Sequence, residues 1–216
     1  MSNGFQINAF MMEISGFTGG MASTNGYLIH SSGKYWVVDA PEGMAAWLRE
    51  QKVKVDTLLL THQHYDHVQD AAEIQREHGA PLLAWAPYSK DLTLELLLQK
   101  FMGLPLSVPA FGVDQWLQGK SEIEVCGVKL KLEHIPGHSL DSVAFISTEE
   151  RTVFGGDVLF AGSVGRADFP GGDMELLTGG IRDKLLVLPE DFEVYPGHGP
   201  ATTIGEERAT NPYLQD

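Results

Sequence analysis

Apolar and polar positions fall into short runs along the whole chain, and those runs predict strands interleaved with helices. Phe5–Ile14 (FQINAFMMEI) reads as a first strand, followed by a Gly-rich turn at Gly16–Gly20. Asn25–Pro41 reads as a hairpin with Ser31, Ser32 and Gly33 at its tip. Glu42–Gln51 has helical spacing, with Met44, Ala45, Trp47 and Leu48 on one face. Val55–Leu60 is a β-prone apolar run that delivers the chain to His62. Asp66–His78 reads as a helix stopped by Gly79, Pro81–Ala86 as a strand, and Ser89–Met102 as a helix ending at Gly103. Leu104–Gly112, with two prolines, reads as a loop.

Further on, Ser121–His134 reads as a hairpin turning at Cys126 and Gly127. Ser142–Ser147 and Arg151–Gly155 read as strands joined by a Thr-Glu-Glu turn. Asp173–Leu186 is a predicted helix, Phe192–Tyr195 a last strand, and Thr203–Asn211 a short helix at most. The mixture lacks a clean βαβα alternation, which suits two packed sheets with helices outside. With 216 residues, no repeat and no linker, residues 1–216 are expected to form one domain.

Composition narrows the function classes. Apolar residues make up 43% and charged residues 20%, as expected of a chain able to bury a sizeable core. The formal net charge of −14 is a poor match for a phosphate backbone, so nucleic acid is excluded as a partner. Cys126 is the only cysteine, which rules out an internal disulfide and fits a reducing compartment. No apolar run is long enough to cross a bilayer, and MSNGFQINAFMMEISG lacks the basic segment and apolar core of a signal peptide. A cytoplasmic enzyme acting on a small molecule is the expectation.

The chemistry concentrates in the histidines. THQHYDHVQD at Thr61–Asp70 places His62, His64, Asp66 and His67 within six residues, too close for protonated imidazoles to coexist comfortably. His138 in HIPGHS and His198 in VYPGHG share the same setting, a β-prone run feeding a Gly/Pro loop. VFGGDVLF has the same form and presents Asp157. Neutral imidazole and carboxylate are the usual ligands of zinc and non-haem iron. In an extended stretch His62 and His64 point the same way. Five histidines and two aspartates suffice for two metals, and a carboxylate such as Asp157 can bridge ions held roughly 3.5–4 Å apart. The remaining histidines read differently: His30 and His134 lie on strands, and His78 sits in the last turn of a helix, where positive charge suits the dipole.

The order HQHYDH (62–67), PGHS (136–139), GGDVLFAG (155–162) and PGHG (196–199) resembles the metallo-β-lactamase superfamily. GSVGRADFPGGD (162–173) and the final GHGPATTIGEERATNPYLQD resemble its small glyoxalase II-like branch. The resemblance implies an α+β fold, a four-layer αββα sandwich with the metals at one sheet edge. By position it implies that His62, His64 and His138 hold a first metal, that Asp66, His67 and His198 hold a second, and that Asp157 bridges. The ions implied are two divalent cations, zinc first, with iron or manganese as alternatives. Cleavage of a thioester such as S-lactoylglutathione is the implied reaction: hydroxide formed on the metal pair attacks a polarised carbonyl, and Asp66 orients it. The best-known lactamases carry cysteine at the Asp157 position, which disfavours a lactam. Arg166 stands where relatives place a basic residue for a substrate carboxylate, and Tyr65, bulkier than expected, is assigned to shaping the pocket.

This chain departs from the pattern in having Gln69-Asp70 where many relatives have Gly-Gly, and in ending 18 residues after His198, without the helical domain that supplies much of the glutathione site in full-length glyoxalase II. The rival on the same scaffold is a persulfide dioxygenase with one iron on His62, His138 and Asp157.

Overall fold

The computed structural model describes residues 12–103 and 105–215. The first sheet contains β1 (Glu13–Gly19), β2 (Thr24–Ser31), β3 (Lys34–Val38), β4 (Val55–Leu59), β5 (Leu82–Ala84) and β6 (Gln115–Trp116), paired in that order. Its first three strands are antiparallel and the rest join in parallel. The second sheet contains β7 (Glu122–Val125), β8 (Val128–His134), β9 (Val143–Ser147) and β10 (Thr152–Gly156). Next, β11 (Leu159–Phe160) and β12 (Ser163–Val164) form a separate ribbon. Two further strands, β13 (Glu193–Pro196) and β14 (Thr202–Thr203), then complete the second sheet in the order β14-β13-β10-β9-β8-β7.

Seven helices occur among the described residues: α1 (Met44–Gln51), α2 (Tyr65–Val68), α3 (Ala71–His78), α4 (Lys90–Thr93), α5 (Glu95–Met102), α6 (Met174–Lys184) and α7 (Ile204–Thr210). Strand alternation divides their partners into three cores. On β3, Trp36 and Val38 point between the sheets and Val37 points to the helices, where Met44, Leu48 and Ile74 cover it. On β9, Val143 and Phe145 meet Trp36 between the sheets, while Ala144 and Ile146 face Leu177 and Ile181 of α6. Both sheets are therefore buried on two faces. Three apolar cores between four layers give the αββα sandwich.

Several elements differ from the periodicity. The Phe5–Ile14 strand lies outside the described residues up to position 11. Gly16–Gly19 is not a turn but the second half of β1, paired residue by residue with Tyr27–Thr24. Gly19 is needed there because a Cβ would stand 2.2 Å from the Glu42 carbonyl oxygen. The Asp66–His78 helix breaks between α2 and α3, because Asp70 turns its backbone N–H to the Ala40 carbonyl and its carboxylate to the Ala45 N–H. The Ser89–Met102 helix breaks at Leu94, whose φ is 57°. No helix among the described residues is long and apolar enough to cross a membrane.

Candidate metal centre

Every predicted ligand follows the carboxyl end of a strand. His62, His64, Asp66 and His67 follow β4, His138 follows β8, Asp157 follows β10, and His198 follows β13. Backbone bonds close this edge: Val143 N–H donates to the Thr61 carbonyl at 2.9 Å and Asn25 N–H to the Gly197 carbonyl at 2.7 Å. Gln63, fully buried between two of the histidines, pins the loop by donating to the Ala86 and Pro87 carbonyls and accepting from Ser89 N–H.

The structure gathers these side chains into three overlapping groups: His62, His64 and His138; His62, His67 and Asp157; and Asp66, His67 and His198. Within each group the donor atoms lie within 4.8 Å of one another. Asp157 stands between them. Its Oδ1 is 3.2 Å from His67 Nε2, and its Oδ2 is 3.3 Å from His138 Nε2 and 3.4 Å from His198 Nε2. Asp66 Oδ2 is 3.3 Å from His198 Nε2. Gly197 permits this approach, since a Cβ there would lie 2.1 Å from Asp157 Oδ1 and 2.6 Å from His67 Cε1.

A cation fits this donor set on physical grounds. His62 Nε2, His67 Nε2, His138 Nε2 and Asp157 Oδ1 are all buried, and despite their mutual proximity none has a partner in hydrogen-bonding alignment. Buried polar atoms are rarely left so. Burial and the neighbouring imidazoles hold His62 well below the usual histidine range, burial and His138 take His64 to about 3, and burial lowers His138. These three present the neutral imidazole that metals take. Burial, the largest single influence, would raise both carboxyls, but His67 and His198 together outweigh it, so Asp66 falls to about 2 and Asp157 well below the carboxylate range. Burial would lower His67 and His198, but Asp157 and Asp66 carry His67 far up and His198 to about 10.

The residues that orient the ligands were absent from the sequence reading. Asp39, 2% exposed, accepts from His67 Nδ1 at 2.9 Å, from Thr61 N–H at 2.8 Å and from the Thr61 hydroxyl at 2.7 Å. The Thr61 hydroxyl is 3.1 Å from His62 Nδ1. The Thr24 hydroxyl donates to Asp66 Oδ2 at 2.7 Å, and His138 Nδ1 donates to the Arg166 carbonyl at 2.7 Å. Such partners fix which ring nitrogen faces the centre. The available signal was an aspartate ending the apolar run YWVVDAP.

Tyr65 is half-buried, and with Glu42, Asp66, Gln69 and Ser107 it lines a cavity of 330 Å³ beside the centre. Arg166 does not line this cavity and does not present a free fork. Its Nε and Nη2 donate to Asp168 Oδ1 and Oδ2 at 2.6 and 2.7 Å, and its guanidinium stacks 4.1 Å over the Phe169 ring.

Residues 19–198 match the family described as the metallo-beta-lactamase superfamily. The chain belongs to that superfamily. Within it, hydroxyacylglutathione hydrolase GloC of Haemophilus influenzae is 41% identical over 172 residues, covering 77% of this chain and 79% of that protein, and supports the glyoxalase II-like branch. The crystal structure of BLEG-1 B3 metallo-beta-lactamase is similar to this member with a TM-score of 0.85 and 31% identity, over 94% of this chain and all of that one. A di-iron-bound form of TTHA1623 gives a TM-score of 0.78 and 35% identity over 93% of this chain and 100% of that one. Membership of this superfamily and the likeness to GloC support a hydrolase, and the donor cluster is a candidate metal-binding site.

Proposed function

We propose that this protein is a cytoplasmic thioester hydrolase working with two divalent cations. One is held by His62, His64 and His138 and the other by Asp66, His67 and His198, with Asp157 shared. The observation that carries this reading is the position of Asp157 between two donor groups, with its own Oδ1 and the Nε2 atoms of His62, His67 and His138 buried without partners. When bound, such cations polarise a carbonyl oxygen and lower the pKa of water from 15.7 to about 7.

The chain's own residues do the rest. Asp66 faces both the donor cluster and the 330 Å³ cavity, so its carboxylate meets a water entering from that side. Thr24 fixes Asp66 by donating to Oδ2, which leaves Oδ1 to accept a hydrogen bond from the attacking water and orient it. A thiolate leaving group is weakly basic and needs no general acid, which suits a site whose histidines are all taken up by the cluster. The name of the GloC relative, a hydroxyacylglutathione hydrolase, makes S-lactoylglutathione the first substrate to assay.

The test is metal analysis of protein purified without added metal, paired with thiol release from S-lactoylglutathione and from neutral thioesters. About two divalent ions per chain, zinc or iron, and thioester hydrolysis are expected. Asp66→Asn should keep the fold and slow turnover by more than about tenfold. A single iron per chain, no thiol release, and oxygen uptake on glutathione persulfide would overturn the hydrolase in favour of the dioxygenase. Nitrocefin serves as the lactam control that the name of the BLEG-1 relative calls for.

A further inference from the structure

A second and larger cleft of 650 Å³ opens between α5 and the segment 166–170. Its walls are Leu97, Leu98, Phe101, Phe169 and Pro170. Leu97 and Phe101 are four residues apart and so share a face of α5. Phe101 is 74% exposed although nothing in its size or polarity favours water. Two of its wall residues touch the candidate ligands: the Phe169 ring lies 5.9 Å from the His64 ring, edge to face, and the Arg166 carbonyl accepts from His138 Nδ1. Its one charged pair, Arg166 and Asp168, is internally neutralised by two parallel hydrogen bonds. A volume of this size with mostly apolar walls and few polar groups is typical of small-molecule sites.

Resting on the thioester reading, we infer that the preferred substrate is a thioester with an extended uncharged hydrocarbon arm, which lies in the cleft lined by Leu97, Phe101 and Phe169. A glutathione arm brings two carboxylates and an ammonium group. Among the described residues the one cation lining the cleft, Arg166, is already doubly bonded to Asp168, so it offers those carboxylates no free fork. A hydrocarbon arm gains from every wall. Each methylene fully buried is worth roughly fourfold in binding, and an open cleft gives part of that.

The experiment compares kcat/KM for S-acetyl-, S-butanoyl- and S-octanoyl-N-acetylcysteamine in the metal-loaded enzyme. Calorimetry with the non-hydrolysable thioether S-octyl-N-acetylcysteamine is run beside it. The octanoyl thioester should exceed the acetyl by about tenfold or more, and Phe101→Ser should compress that ratio and weaken thioether binding several-fold. Phe101 is exposed, so the variant is expected to fold, and circular dichroism checks this. Hydrolysis with no dependence on chain length overturns this inference and leaves the thioesterase reading standing. If no thioester is cleaved, the thioesterase reading fails, and the thioether decides the cleft: binding weakened by Phe101→Ser supports it, and no binding overturns it. A dimer that dissociates in Phe101→Ser, with no change in the acyl ratio, would assign the surface to a second copy of the chain and overturn the proposal.

Discussion

Asp39 accepts a hydrogen bond from His67 Nδ1 at 2.9 Å across 28 positions of sequence, and this contact turns His67 Nε2 toward Asp157 and Asp66. Asp39 holds φ at 60°, a left-handed conformation that Asp and Asn tolerate better than other non-glycine residues. Asp39→Asn therefore keeps the backbone and removes the charge. We expect a loss of about 10–100-fold in metal affinity, measured by competition with a chromogenic chelator, with unchanged circular dichroism. Unaltered affinity would assign Asp39 to holding Thr61 alone.

Gly197 carries a second prediction. A methyl group on it would stand 2.1 Å from Asp157 Oδ1, so Gly197→Ala must push the carboxylate or His67 out of place. Overpacking of this kind costs about 1–3 kcal/mol. Purified Gly197→Ala should contain less than half the parent's metal and melt at a lower temperature. Full metal content would show that the loop of His198 can shift without disturbing Asp157.

These two residues mark what the sequence made legible. The candidate ligands sit in contiguous motifs, HQHYDH, GGD and two PGH runs, each at the end of an apolar strand, so local pattern exposes them. Asp39 and Thr24 reach their partners only through the fold, at separations of 28 and 42 positions; Asp39 has only its place at the end of an apolar run as a local sign, and Thr24 has none. The hairpins at Ser31–Gly33 and Cys126–Gly127 were readable because alternation and turn residues agree there. The two-residue strands β6, β11, β12 and β14 are too short to show a period. The long helices were misread where tertiary bonds compete: Asp70 serves α1 as well as its own helix, and buried Glu95 accepts from Val108 N–H and pairs with Lys90 just past the break at Leu94.

Arg166 was expected to receive a substrate carboxylate, and the structure places Asp168 on its fork instead. The two proposals separate in Asp168→Asn. With the fork released, Arg166 should bind an anionic thiol better, lowering KM for S-lactoylglutathione roughly three- to fivefold, as suits an exposed pair, while a neutral thioester is unaffected. Steady-state kinetics on both substrates is the measurement. An unchanged KM for S-lactoylglutathione would remove Arg166 from the substrate site and leave its side chain as a support for the segment whose carbonyl holds His138.

Asp141 yields a prediction about stability and pH. It is 2% exposed, accepts from the Ser139 hydroxyl at 2.6 Å through Oδ1, and leaves Oδ2 buried without a partner. Burial pushes its carboxyl up to about 6, against the hydrogen bond from Ser139. Between the unfolded value near 3.8 and the folded value near 6, the native protein holds the proton more firmly than the unfolded chain. Raising pH through that window therefore favours unfolding, and above it the cost of the buried charge is fully present. Asp141→Asn removes the charge and keeps a carbonyl for Ser139. Relative to the parent, the variant should gain on the order of 2 kcal/mol more at pH 8 than at pH 4. Urea denaturation of both proteins at the two pH values, with chelator throughout, measures it. The chelator matters because metal binding would add its own pH dependence to both curves. Equal differences at the two values would mean that Asp141 titrates like an exposed carboxylate, and that its unpartnered oxygen is solvated in solution.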